Sequence, residues 1–159
     1  MMVGLPGSGK STIVRQRRTD LANKDFVVLS PDELVIAMGR SEGLNYTQSV
    51  PKHGFEKAEN IFADQLKQTL KVRINIIVDR TNLTVEIRAV LLREVPPDYT
   101  KTAIICEVDP EELIRRIDAR ADNTGKIIPK NVLTKMIELY EPPTGSEFDE
   151  IKRVRIVGN

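Results

Sequence analysis

Near the start of the chain, Gly4-Leu5-Pro6-Gly7-Ser8-Gly9-Lys10-Ser11 fits the spacing G-x-x-x-x-G-K-[ST]. Glycines let a backbone come close to dense negative charge and turn its N–H groups inward. A helix opening near Lys10 would aim its positive end at the same point. The Lys10 ammonium would then reach the β- and γ-phosphates of a nucleoside triphosphate, and the Ser11 hydroxyl would ligate Mg2+. Gly4, Pro6, Gly7, Ser8, Gly9, Lys10, Ser11 and Thr12 are therefore the expected ATP-binding set. By chance, roughly 1 chain in 100 of this length would match the four fixed positions. Here the apolar stub Met1-Met2-Val3 precedes the loop and an amphipathic run follows it, the strand-then-helix context that such a loop requires. The competing reading is a Gly-rich turn that caps a helix.

Phosphate chemistry also needs carboxylates. Asp79 ends the apolar run Asn75-Ile76-Ile77-Val78, where a carboxylate reaches Mg2+ directly or through water, or else caps a turn. Asp32 follows the run Phe26-Val27-Val28-Leu29. In open α/β sheets ligands sit at that carboxyl edge. A carboxylate there can take the proton of a hydroxyl acceptor; read alone, it is equally a charge at a helix start. Glu33 competes more weakly. Cations follow at Arg115, Arg116 and Arg120, on a helix opened by Pro110. Arg116 and Arg120, four apart, share a face. A break at Asp122-Asn123-Thr124-Gly125 and a new helix from Pro129 make this a lid of about residues 112–130, whose guanidinium groups would close over a transferring phosphoryl group. The alternative is a solvated face paired with Glu111, Glu112 and Asp118.

The elements that must hold these residues alternate in type. Helices are expected from Lys10 to about Ala22, from Pro31, from Pro51 to Leu70, after Thr84, from Pro110, and from Pro129 to about Tyr140. The Pro51–Leu70 helix carries Phe55, Ala58, Phe62, Leu66 and Leu70 at helical spacing. Thr84 can cap a helix bearing Val85, Ile87, Val90 and Leu91. Strands are expected at Met1–Val3, Phe26–Leu29, Asn75–Asp79, Thr102–Val108 and Arg153–Val157, with long loops at 40–50 and 141–152. Continuous apolar strand runs separated by helices predict a parallel α/β sheet buried on both faces.

The chain has 159 residues, 40% hydrophobic and 30% charged, with Lys plus Arg at 24 against Asp plus Glu at 23. That is one domain, residues 1–159, with enough chain for a core without staples. A net charge of +1 supplies no global field toward nucleic acid or membrane, so any anion site must be local. One Cys and one His cannot make an internal disulfide or close a zinc site. No run nears the ~18 apolar residues of a membrane helix, and the start lacks the apolar region of a signal peptide. A soluble, intracellular, cytoplasmic protein is the expectation. Cys106 is expected to be buried and inert, and His53 to be a satisfied surface histidine.

Together the segments GLPGSGKST (4–12), VVLSPDEL (27–34), IIVDRTNLT (76–84), VDPEELIRRIDAR (108–120) with IPKNVLTKM (128–136), and YEPPTGSEFDEI (140–151) resemble the polynucleotide kinase branch of the P-loop kinases. The resemblance touches nearly the whole chain. It implies a P-loop NTPase fold of adenylate-kinase-like type, with a five-stranded parallel sheet in the order 2-3-1-4-5, helices on both faces and a helical lid. It further implies ATP-dependent transfer of the γ-phosphate, with Mg2+, to the 5′-hydroxyl end of DNA or RNA. Asp32 matches the general base, Arg120 the lid arginine on the transferred phosphoryl, and Arg116 a second lid arginine. Thr81 and Asn82 match a substrate-side turn. Two departures stand out. Bacteriophage-type members carry an Arg three residues after the base, where this chain has Val35, so Arg40 or Lys52 becomes a candidate substitute on the acceptor. The D-x-D-G-T phosphatase motif of bifunctional members is absent. A kinase for another hydroxyl, on a small metabolite or a modified base in DNA, and a non-catalytic ATP-binding module are the alternatives.

Overall fold

The computed structural model describes residues 1–20, 26–124 and 126–155. In chain order the elements are β1 (Met2–Val3), α1 (Lys10–Asp20), β2 (Phe26–Leu29), α2 (Pro31–Arg40), α3 (Tyr46–His53), α4 (Phe55–Lys71), β3 (Asn75–Val78), α5 (Val85–Leu92), β4 (Thr102–Glu107), α6 (Pro110–Thr124), α7 (Lys130–Glu138) and β5 (Glu150–Arg155).

All ladders among the described residues are parallel, and the side chains explain why. Alternate strand residues feed two apolar layers. Met2, Val28, Ile77, Ile104 and Cys106 pack with Ile13 and Val14 of α1 on one face. On the other, Leu29 and Val78 pack with Phe62, Leu66 and Leu70 of α4 and Leu91 of α5, while Val3, Ala103 and Ile105 pack with Phe148. Strands buried on both sides read as continuous apolar runs, as the sequence does.

One expectation needs correction. The five strands do not form one ladder: β1-β4-β5 make a three-stranded sheet and β2-β3 a two-stranded one. Each of the three ladders joins neighbours in the expected order 2-3-1-4-5, but the junction between β3 and β1 is not laddered. The two-residue β1 spends its ladder on β4. The seam is bridged just beyond the strand ends, where Gly4 N donates to Thr81 O at 3.0 Å and Asn82 Nδ2 donates to Met2 O at 2.7 Å. The shared layer on α1 spans both sheets.

Other boundaries also differ. Residues 46–53, expected as loop and then as the start of a longer helix, form the separate helix α3. Asn45 and Gln48 cap it reciprocally at 3.0 Å each way, and Gly54 at φ +79° breaks it from α4, with Pro51 inside α3. The expected break at 122–124 is instead the last turn of α6, and Gly125 lies outside the described residues. β5 begins at Glu150, earlier than expected, and is an exposed edge strand rather than a buried one; residues 156 and 157 lie outside the described residues, as do Leu21 and Ala22 at the end of the first helix. In α5 the buried residues are Arg88 and Leu91, while Val85, Ile87 and Val90 are exposed. Among the described residues no helix is long and apolar enough to cross a membrane.

Candidate active site

The candidate site residues gather at the carboxyl ends of the strands. The β2–β3 register pairs Leu29 with Val78, and Asp79 N donates to Leu29 O at 2.9 Å, so the chains leaving both strands emerge side by side. Ser30 then caps α2 through its hydroxyl, with Pro31 at the first helical position. That sets Asp32 in the first turn, where the helix N-terminus favours a carboxylate.

These residues open onto a cleft of about 1000 Å³, at the upper end for small-molecule sites. One wall is the loop before α1. Pro6, Gly7, Gly9, Lys10, Ser11 and Thr12 line it, while Gly4 and Ser8 stand behind them, Ser8 being almost wholly buried. Lys10 is buried too, and its Nζ donates to Gly4 O at 2.9 Å and Leu5 O at 2.7 Å. Burial lowers its pKa to about 8, against the opposing charge of Asp79. Gly7 at φ +83° fixes a second wall. A Cβ there would stand 3.0 Å from Ile117 Cγ1 and 3.2 Å from Leu113 Cδ1, so only glycine lets α6 pack down on the loop.

That packing turns Glu112, Arg115, Arg116 and Arg120 into the cleft. Glu112 holds two of the guanidinium groups, with Arg115 Nε at 2.7 Å and Arg116 Nε at 2.6 Å. Those hydrogen bonds bring the Glu112 carboxyl down to about 2. Arg120 is central: its charge bears on Lys10, Asp32, Tyr46, Asp79 and Lys126.

The wall around Asp32 holds groups that the motifs did not reveal. Asp32 is ion-paired with Lys126 and hydrogen-bonded by the Tyr46 hydroxyl. Burial pushes the Asp32 carboxyl up. The Lys126 charge and hydrogen bond, with Tyr46 and Arg120, outweigh it and hold the carboxyl below its ordinary range. Asp79 is the opposite case, since burial raises it and Lys10 offsets only part of that. Ile36, Phe55, Ile127, Ile128, Val132 and Met136 form the apolar part of the cleft. No local signal marked Lys126 or Tyr46, because Lys126 meets Asp32 across 94 positions of sequence.

Thr81 lines the cleft, but two expected substrate contacts do not. Asn82 is fully buried at φ +49°, with its amide committed to Met2 O, so it builds the turn rather than facing a substrate. Arg88, also fully buried, braces that turn: it donates to Asn82 O at 3.1 Å and to Glu147 Oε2 at 2.7 Å. Arg40 is exposed at the far end of α2, ten residues long, away from the cleft. Val35 is fully buried and does not line the cleft. His53 lies off the cleft with Nε2 3.2 Å from Glu42 Oε1, and burial pushes the Cys106 thiol up to about 11.

Mg2+ prefers oxygen ligands and keeps waters and substrate phosphates in its shell. The Ser11 hydroxyl and the Asp79 carboxylate, both on the cleft, fit that chemistry. Among the described residues no cluster of three His, Cys, Asp or Glu side chains forms a separate metal site.

Comparison with known proteins identifies a family and a fold. A family model described as an AAA domain matches residues 1–143. The mouse heterogeneous nuclear ribonucleoprotein U-like protein 2 is 24% identical over 157 residues, covering 95% of this chain and 20% of that protein. The chain thus spans about a fifth of the length of the curated relatives it matches. Among solved structures, Kti12 of Chaetomium thermophilum in complex with ADP-AlF3 superposes with a TM-score of 0.66 at 16% identity, over 97% of this chain and 87% of that one. A gluconokinase from Sinorhizobium meliloti gives a TM-score of 0.56 at 19% identity, over 99% and 82%. At such identities the structural likeness shows the fold, an α/β P-loop fold shared with kinases.

Proposed function

The chain belongs to the AAA domain family, and from that premise we propose that it is an ATP-dependent phosphotransferase acting on a hydroxyl acceptor. One observation carries the reading: Lys10, Ser11, Asp32, Asp79, Arg116 and Arg120, from four separate segments, line a single cleft. A fold used only to hold nucleotide has no need of a carboxylate and a lid arginine across from the loop.

In the proposed reaction the loop N–H groups and Lys10 hold the β- and γ-phosphates, and the acceptor hydroxyl lies against Asp32. The acceptor oxygen attacks the γ-phosphorus in line, its proton passes to Asp32, and the bond to the β-phosphate oxygen breaks, leaving ADP. Lys10 and Arg120 stabilise the charge that develops on the phosphoryl oxygens. Ser11 and Asp79 would hold Mg2+, which neutralises phosphate charge when bound.

For the acceptor we propose the 5′-hydroxyl end of a nucleic acid. Support comes from the sequence resemblance and from the apolar walls at Ile36, Phe55, Ile127 and Val132, which suit a base better than a polyol. The small-hydroxyl reading finds its support in the gluconokinase fold likeness. The test is transfer of labelled γ-phosphate from ATP to a 5′-hydroxyl oligonucleotide, to the same oligonucleotide already 5′-phosphorylated, and to gluconate. Label on the first alone supports end-directed transfer. Label on the 5′-phosphorylated oligonucleotide as well points to an internal hydroxyl, and label on gluconate alone overturns the nucleic-acid acceptor. No label on any of them, with ATP bound, favours the nucleotide-binding module.

A further inference from the structure

Lys126 occupies an unusual position for a lysine. It is only 9% exposed, though an isolated buried ammonium is costly. Its Nζ meets one carboxylate, Asp32, and stands 3.9 Å from the centroid of the Tyr46 ring. A cation over a ring face in a dry site gains attraction from the ring quadrupole. The segment bearing it is anchored independently, since Ile127 N donates to Thr47 Oγ1 at 3.2 Å. Residues 126–127 therefore fasten onto the first turn of α3 at two points, one through side chain and one through backbone.

The far side of the arrangement is equally fixed. α2 and α3 approach so closely at Gly39 that a Cβ there would lie 1.9 Å from Ser49 Oγ. Tyr46 rides on α3 and Asp32 on α2, so this contact sets the distance between them. The groups facing Asp32 are then Lys126, Tyr46 from α3, Arg120 from α6 and Lys10 from α1, with Asp79 beyond β3 as the neighbouring carboxylate. Despite the ion pair, the Asp32 side chain stays 42% exposed. Lys126 and the Tyr46 hydroxyl thus hold the carboxylate while part of it stays open to the cleft, where a hydroxyl can approach.

We propose that Lys126 is a positioning residue for Asp32, holding the carboxylate ionised and turned into the cleft. This rests on the reading of Asp32 as the acceptor-side base. A base held ionised by a fixed cation takes a proton only when the acceptor oxygen turns acidic as it bonds to phosphorus. The pair therefore couples proton transfer to phosphoryl transfer, and Lys126 never touches the reacting atoms.

The test uses the full chain with 13C-labelled aspartate, following the Asp32 carboxyl by NMR across pH in the wild type, Lys126→Met and Lys126→Arg. In Lys126→Met the Asp32 titration moves to higher pH; in Lys126→Arg it stays near wild type. An unmoved titration in Lys126→Met overturns the proposal, whatever the enzyme does. Should Lys126→Met not fold, Lys126→Gln makes the same comparison. In the transfer assay, kcat of Lys126→Met falls roughly 10- to 100-fold while KM for ATP holds, and the acid limb of its pH profile follows the NMR shift. A kcat above wild type would make Lys126 a latch over the base and overturn the proposal. If the titration shifts as expected but wild type transfers to no hydroxyl, the positioning role stands and the phosphotransferase reading fails.

Discussion

The two halves of the cleft are built by different means. The donor half is a nine-residue stretch, 4–12, in which backbone N–H groups, three glycines and one lysine lie next to each other in sequence. The acceptor half gathers Asp32 from α2, Tyr46 from α3 and Lys126 from the segment before α7, and no two of them share an element. A local device tolerates change in the surrounding packing; an assembled one depends on every contact that spaces its parts. The polarity differs as well. On the donor side burial leaves a lysine short of its usual basicity and raises Asp79. On the acceptor side pairing outweighs burial and keeps Asp32 acidic.

The sharpest way to separate the halves is Asp32→Asn. Transfer falls by ~10²–10⁴-fold, as for loss of a general base, while ATP affinity measured by calorimetry stays near wild type. A loss of ATP affinity of the same size would dissolve the distinction. Lys10→Ala should fail differently, losing ~10²–10³-fold in transfer together with nucleotide affinity. Unchanged nucleotide affinity in Lys10→Ala would move the donor site away from the loop.

Gly39→Ala tests the assembled half without touching a reacting group. Forcing α2 from α3 costs about 1–3 kcal/mol, read as a Tm drop of ~2–4 °C per kcal/mol. Acceptor transfer falls while ATP still binds. A loss of stability with transfer intact would mean that the spacing of Asp32 and Tyr46 does not matter.

Asp79→Asn should abolish transfer yet raise the Tm. The folded protein holds this carboxyl above its ordinary 3.8, so ionising it costs stability at neutral pH, and an amide removes that cost. The gain should vanish below the ordinary carboxylate range, where the wild-type group is neutral in both folded and unfolded chains. A gain that persists in acid would need another cause. Smallest of all is a proton count. With Lys10 near pKa 8 in the ligand-free site, ATP binding at pH 8 should draw in roughly half a proton. Calorimetry in buffers of different ionisation heat measures it, and zero uptake would mean that Lys10 is already fully charged.

What the sequence determined by itself is the part of the molecule whose physics is local. The phosphate loop, the Ser30-Pro31 helix start, the Thr84 cap and the strand cores at 26–29 and 75–78 depend on neighbours a few residues away, and each could be read from residue type and spacing. Asp32, Asp79, Arg116 and Arg120 were legible as candidates because strand ends and helix faces follow from periodicity. Tertiary structure decided the rest. β1 ladders with β4 and not with β3, so the expected single sheet becomes two ladders joined through Asn82 and Gly4. The same seam takes Asn82 out of the cleft. Arg88 is buried because the turn at 141–147 folds around it and takes its hydrogen bonds. Lys126 looks like any surface lysine until α6 and α7 bring it back over α2 and α3. Spacing in sequence reports distance only within one element, so whatever forms between elements is fixed by how they pack.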